Sequence, residues 1–211
     1  RTVSDRRFYE AQVDAAKRSA PAALRNVGPI GDVLAQWLPS HGVVLELASG
    51  TGEHGLAFAR RFAGVAWQPS DASDEALASI AAWRGEGPAN LIEPLRIDAA
   101  ETDWPIASAD AMVAINLLHI SPWETALGLL DGAARLLPAG GPLILYGPWI
   151  EEGVATVPSN QVFDMDLRAR DPRWGLREVS GFASEAKGRG LDLADRRVMP
   201  ANNIMLRFDR R

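Results

Sequence analysis

The chain has 211 residues, 47% of them hydrophobic and 23% charged, the size of a single globular domain (residues 1–211) with a core of its own. It carries a net charge of −5 and no cysteine, which excludes disulfides, thiolate metal sites and cysteine nucleophiles and argues against a nucleic-acid surface of clustered Lys and Arg. A small-molecule partner is favoured, in a cytoplasmic protein with no membrane partner: the longest apolar run, AMVAINLLHI, falls short of the roughly 18 residues of a membrane helix, and the opening RTVSDRRFYE lacks a signal peptide's apolar segment.

Residues 1–40 predict a helical region. Arg1 to Arg18 is charged and weakly periodic, and SAPAALRNVGPIGDVLAQWLP reads as a capped helix ending near Pro39. GVVLEL (42–47) is a short β-branched run bounded by turn residues, the pattern of a buried parallel strand. The turn ASGTG follows, and EHGLAFARRF has apolar residues at helical spacing. GVAWQ (64–68) predicts a second strand closed by PSDAS. SDEALASIAAWR predicts a helix capped by Ser73 or a nearby Asp, with acids in its first turn and an arginine at its end, as the helix dipole prefers. LIEPLRID, DAMVAINLLHI and GPLILYGP read as strands, with WETALGLLDGAARLL as the helix between the last two. This alternation predicts βαβ units, a parallel sheet and right-handed crossovers. Residues 149–175 break the pattern: they are polar, aromatic and turn-rich, the mark of a functional lid or of short irregular helices. LREVSGFASEAKGRG restores a helix, and LDLADRRVMPANNIMLRFDRR reads as two strands split by a PANN turn.

In an open α/β sheet, ligands lie outside the carboxyl ends of the strands, and glycines after the first strand let a backbone approach them. Gly50 and Gly52 fit that role, although a tight turn alone would also call for them. Glu46, just ahead of the turn, would repel a pyrophosphate on the helix N-terminus, and SGTGEHG lacks the Lys-Ser or Lys-Thr of a P-loop. A ligand with an ammonium and a sulfonium on an adenosine suits Glu46 instead, and S-adenosylmethionine is such a ligand. Asp71 ends the second strand, where it can accept from ribose hydroxyls. Asp98 ends the third, where it can accept from the adenine amino group. Any one of these acids also reads as a helix cap or a solvated loop residue; in order along one sheet edge they read as a binding row.

ELASGTG resembles the acid-x-Gly-x-Gly-x-Gly motif of the class I S-adenosylmethionine-dependent methyltransferases, with Ala48 in place of the first glycine. The alanine predicts an ordinary backbone conformation there. RNVGPI, LELASGTGEH, WQPSD, INLLHISPW, GGPLILYGP, SNQVFD, LRARDPRWGLR and MPANN are similar to blocks of a methyltransferase-like family, DUF938, which includes methyltransferase-like protein twenty-six; they span about residues 19–208. The resemblance implies a Rossmann-like α/β fold: a seven-stranded, mostly parallel sheet with an antiparallel last strand and helices on both faces. It implies S-adenosylmethionine as cofactor, with Glu46, Ala48, Gly50, Gly52, His54, Asp71, Asp98 and Asn116 around it and the helical region 1–40 as a lid, its Arg25 and Asn26 folded over the cofactor. For His54, a plain cap at the helix start is an equal reading.

Methyl transfer from a sulfonium is an in-line displacement that needs neither a covalent enzyme intermediate nor a metal, so positioning and desolvation carry most of the rate. His119 is the candidate general base because a free imidazole titrates at about 6.5; a packed core histidine is the other reading. His41, at the far end of a strand, is expected to be exposed, and the three histidines lack metal-ligand spacing. Asn160, Asp164, Arg168, Arg170 and Trp174 of the insertion, with Asn202 and Asn203, are candidate walls of an acceptor pocket, since amides both donate and accept. RARDPRWG reads equally well as an Arg–Asp pair closing a loop beneath a tryptophan. The expected function is methyl transfer to a small molecule, with acceptor and oligomeric state left open. The other readings are a non-catalytic S-adenosylmethionine-binding protein and, against Glu46, a nicotinamide-dependent oxidoreductase.

Overall fold

The computed structural model describes residues 16–19 and 21–211, with the backbone alone for residues 21–24. The expectations for the first fifteen residues, including the outer part of the lid, lie outside the described residues. Helix α1 (Pro21–Trp37) begins on a proline, whose fixed φ suits the first helical position, and buries Ile30, Leu34 and Trp37 along one stripe. Then follow β1 (Gly42–Leu47), α2 (Glu53–Arg61), β2 (Val65–Asp71), α3 (Asp74–Arg84), β3 (Leu95–Arg96) and β4 (Ala111–Ile115). A 3₁₀ turn at Leu118–Ile120 leads into α4 (Trp123–Leu136) and β5 (Pro142–Gly147). The rest of the chain is β6 (Trp149–Ile150), α5 (Pro158–Arg170), β7 (Arg177–Glu178), α6 (Val179–Gly188), β8 (Leu191–Met199) and β9 (Asn203–Arg210). No helix among the described residues is long and apolar enough to cross a membrane.

Seven strands form one sheet in the order β3-β2-β1-β4-β5-β9-β8, and β9 runs antiparallel to both neighbours. The alternation of side chains sorts the core onto its two faces. Val44, Val113 and Ile144 pack with Ile30, Leu34 and Phe58 on one side. Leu45, Met112 and Leu145 pack with Leu129 and Phe182 on the other. The sheet winds outward from β1 in one direction through β2 and β3 and in the other through β4 and β5. The crevice at the carboxyl ends of β1 and β4 is therefore the topological switch point, where a ligand fits in such folds.

Several elements differ from the sequence reading. In LIEPLRID only Leu95 and Arg96 pair in the sheet, with an isolated bridge from Leu91 to Trp67; Pro94, lacking an N–H, interrupts the strand. The strand predicted from DAMVAINLLHI stops at Ile115 because Asn116 turns into the left-handed region at φ 56°. Residues 149–175 are more regular than expected: they contain β6, which pairs with β7, and the 13-residue α5. Ser73 caps α3 as predicted, accepting from the Ala76 N–H at 3.4 Å.

Helix α4 lies hard against the loop after β3. A Cβ on Gly128 would sit 2.0 Å from the Ala99 carbonyl oxygen, and one on Gly132 would sit 2.2 Å from the Trp104 ring. Gly128→Ala should lower the unfolding free energy by about 1–3 kcal/mol in denaturant titrations, the usual cost of overpacking. Unchanged stability would show that this approach is not enforced.

Candidate functional site

The site begins at the turn after β1. Ala48, Gly50 and Gly52 have φ of 52°, 57° and 90°, so Ala48 is not in an ordinary conformation: it is a left-handed residue that carries a side chain. Such a conformation costs about 1–2 kcal/mol outside glycine. Here it is enforced by the Ser49 N–H donating to the Ser70 carbonyl at 2.9 Å and the Gly52 N–H donating to the Ser49 carbonyl at 3.0 Å. The two glycines have different reasons. A Cβ on Gly52 would approach the Ile80 Cα to 2.9 Å, whereas the space around Gly50 is open.

Alternation puts Glu46 on the same face as Val44, beneath α2. Its side chain is 2% exposed, and Oε2 accepts from the Trp67 indole and the Ser49 hydroxyl, each at 3.0 Å. Gly55 makes the helix fit, since a Cβ there would lie 3.0 Å from the same oxygen. Burial pushes the Glu46 carboxyl from its ordinary 4.5 up to about 7, against the pull of the two donors and aided by the charge of Asp71. Glu46 thus acts as a charge behind the turn, not as an exposed carboxylate in front of it.

Asp71 ties β2 to the turn: Oδ2 accepts from the Gly50 N–H at 2.9 Å and Oδ1 from the Ser73 N–H at 3.0 Å. Asp98 stands two residues beyond β3. It is exposed and accepts from the Ala100 N–H at 2.9 Å, outside the network that joins Glu46, the turn and Asp71. Over the start of α2 and across α3 runs a segment that the sequence did not reveal. The Arg18 N–H donates to Ser79 Oγ, the Trp83 indole donates to the Arg18 carbonyl, each at 2.9 Å, and the Ser19 hydroxyl donates to Glu53 at 2.8 Å.

A second network lies on the β4–β5 side. Neutral His54 donates from Nε2 to Asn26 Oδ1 at 2.7 Å, and the Tyr146 phenol hydrogen-bonds to the side chains of Asn26 and Asn203. Burial lowers His54 from 6.5 to about 4, against the Glu53 charge, and raises Tyr146, against the two amides. Beside this chain opens a cleft of about 300 Å³ bordered by Arg25, Asn26, Pro29, Asn116, Tyr146, Pro200, Ala201 and Asn203. Among the described residues, the non-glycine residues with positive φ, Ala48, Asn116, Ala201 and Asn202, all sit in the turns at this end of the sheet. Strained backbone of this kind gathers at functional sites.

His119 is 6% exposed, packed edge-on against Phe163 of α5 with ring centroids 5.6 Å apart. Burial, with the nearby Arg177 charge, lowers its pKa from 6.5 to about 4. The argument for a base that titrates near neutrality therefore fails for this imidazole. Arg177, unnoticed in the sequence, holds the turn that carries it. Its guanidinium donates to the carbonyls of Leu118 at 3.1 Å and Ser121 at 2.6 Å, while the Gly175 N–H donates to the His119 carbonyl at 3.0 Å. Asn160 donates to the Asn202 carbonyl at 3.1 Å and joins Asn202 and Asn203 along a smaller cleft of about 140 Å³. Trp174 lines neither cleft. It closes the loop in which Asp171 pairs with Arg173, and Asp164–Arg168 and Asp166–Arg170 are further ion pairs of the same insertion. His41 is exposed beside Ser40, away from the site.

The sequence pattern of the family described as "Protein of unknown function (DUF938)" matches residues 17–210. The chain belongs to the DUF938 family. Among solved structures, this DUF938 chain is similar to an O-methyltransferase family protein from Burkholderia thailandensis, at 21% identity and TM-score 0.72 over 90% of this chain and 57% of that one. It is similar to CalO1, a methyltransferase in calicheamicin biosynthesis with SAH bound, at 19% and 0.69 over 90% and 54%. It is likewise similar to the mitomycin 7-O-methyltransferase MmcR, at 19% and 0.74 over 88% and 54%. At these identities the likeness is one of fold, and the DUF938 chain spans little more than half the length of each.

The upward shift of Glu46 makes stability depend on pH. Its contribution is fully present below about pH 4.5 and is lost as pH rises through about 7, because the folded protein then carries a buried charge that the unfolded chain solvates. Glu46→Gln, whose amide oxygen can accept the same two hydrogen bonds, should match the wild type near pH 4 and exceed its stability by up to about 3 kcal/mol at pH 8. Parallel stability–pH profiles for the two proteins would show that Glu46 is not shifted.

Proposed function

We propose that this chain is an S-adenosylmethionine-dependent methyltransferase acting on a small-molecule acceptor. The observation that carries the reading is the buried Glu46 carboxylate beneath a left-handed turn at the switch point of the sheet. A carboxylate held there at a cost in stability suits a ligand that brings positive charge and opposes one that brings a pyrophosphate. S-adenosylmethionine supplies an activated methyl group when bound. The structural neighbours, one of them with SAH bound, support this class of ligand.

The residues present fit such a group. Glu46 supplies the charge behind the turn, and the open face of Gly50, with Ala48 and Gly52, lets the backbone lie close to the ligand. Asp71 gives one acceptor site on each oxygen to a backbone N–H, and a carboxylate has about four, so capacity is left for a ribose diol. Asp98 stands further along the same edge for the adenine amino group. His54 and Asn26, joined to each other, and Asn116 belong at the amino-acid end. Asn203, with Asn160 and Asn202 behind it, walls the acceptor side, while Trp174 supports the loop.

His119 enters this reading as a wall. A group titrating at about 4 is a weak base at neutral pH, so this reading suits an acceptor atom that arrives already nucleophilic or loses its proton to solvent. The chain's contribution to rate is then orientation and exclusion of water, which are large effects when reacting atoms are held in line.

Calorimetric titration with S-adenosylmethionine, S-adenosylhomocysteine and NAD should show binding of the first two alone. Asp71→Ala should weaken S-adenosylhomocysteine binding by about 1.5–3 kcal/mol, the range for losing hydrogen bonds to a charged group. Binding of NAD with no response to the other two would overturn the proposal.

A further inference from the structure

The 300 Å³ cleft has an unusual charge pattern. Among the described residues no carboxylate-bearing residue borders it; its polar lining residues are Asn26, Asn116, Asn203, Tyr146 and Arg25. The other arginines among the described residues each have a carboxylate or carbonyl partner. Arg25 is exposed and has no hydrogen-bond or ion-pair partner among the described residues. An exposed guanidinium on a residue that borders a concave site, with no acidic partner among the described residues, suits an anion.

The position of the cleft separates it from the adenosine row. Glu46 and Asp71, at the carboxyl ends of β1 and β2, and Asp98, just beyond β3, lie on one side of the switch point, whereas Asn116, just after β4, and Tyr146 and Asn203, on β5 and β9, lie on the other. Pro29 and Pro200 add rigid apolar surface to its walls. A volume of about 300 Å³ is at the small end of ligand sites, the size for a compact, single-ring molecule.

We infer that this cleft receives the methyl acceptor and that the acceptor carries a carboxylate held by Arg25, an inference that rests on the methyltransferase reading above. The planar guanidinium takes a carboxylate through two parallel N–H donors, which fixes orientation as well as affinity. The Asn203 amide and the Tyr146 phenol then meet the uncharged polar groups of the ring. Asn116, set at φ 56° by the end of β4, stands where acceptor and adenosine sides meet.

The test uses the full chain saturated with S-adenosylhomocysteine, with 4-hydroxybenzoate and its uncharged analogue 4-hydroxybenzamide as probes, followed by NMR titration. The benzoate should bind the wild type about tenfold or more tightly than the benzamide, the scale of a charge-assisted pair. Arg25→Gln should abolish that preference by weakening the benzoate alone, with the affinity for the benzamide as in the wild type. Equal affinities for the two probes, or binding of neither while S-adenosylhomocysteine binds, would overturn the inference and leave the methyltransferase reading standing. A loss of S-adenosylhomocysteine affinity in Arg25→Gln would overturn it by assigning the cation to the cofactor's own carboxylate. Failure of the wild type to bind S-adenosylhomocysteine would overturn both.

Discussion

The hydrogen bonds from Trp67 and Ser49 to the buried carboxylate of Glu46 organise the whole ligand-facing end of this protein. One oxygen takes both donors and so ties β1 to β2 and to its own turn. Ser49 in turn accepts from the Ser70 N–H at 3.2 Å, and the Ser70 hydroxyl returns a bond of 2.7 Å to the Glu46 carbonyl. With this pairing in place the turn has few conformations left, which is why Ala48 is held in a region alanine seldom adopts. Helix α2 then sits directly on the carboxylate because Gly55 has no side chain to keep it away. Burying a charge at this point works against folding, a cost that the proposed ligand of opposite sign would offset.

Around that centre the site is assembled from segments far apart in sequence. Asn26 of α1, His54 of α2, Tyr146 of β5 and Asn203 of β9 form one hydrogen-bonded chain across the mouth of the crevice. The insertion is fastened to the turn after β4 by Arg177 and by the Gly175 N–H, so Phe163 rests on His119 and shields it from water. This shielding accounts for the low pKa of His119: the closure that would protect a reacting methyl group also removes the solvation a protonated imidazole needs.

Much of the fold was legible in the sequence because its signals are local. Short β-branched runs, helices capped by Ser73 or begun by Pro21, and the PANN break between the last two strands each declare themselves within a few residues. The acids at the strand ends were legible for the same reason. What the sequence did not show depends on tertiary contact. The motif letter at Ala48 suggested an ordinary backbone, while cross-strand hydrogen bonds impose a left-handed one. His119 was assigned the titration of a free imidazole, and only the packing of α5 reveals its burial. Tyr146 read as one more strand residue, Arg177 as part of the helix begun at Leu176, Arg18 as the end of a charged, weakly periodic opening and Ser19 as the start of a helix. Each acquires its role from a partner at least thirty residues away in sequence.

The central claim is that Glu46 keeps a buried charge for a cationic ligand, and proton linkage tests it directly. Calorimetric titration of S-adenosylmethionine at pH 7 in buffers of different ionisation enthalpy measures the protons exchanged on binding. With Glu46 titrating at about 7, a bound cation should drive it fully to the carboxylate, so the wild type should release a fraction of a proton that Glu46→Gln does not. Equal proton exchange in the two proteins, or equal affinity for S-adenosylmethionine, would contradict the account.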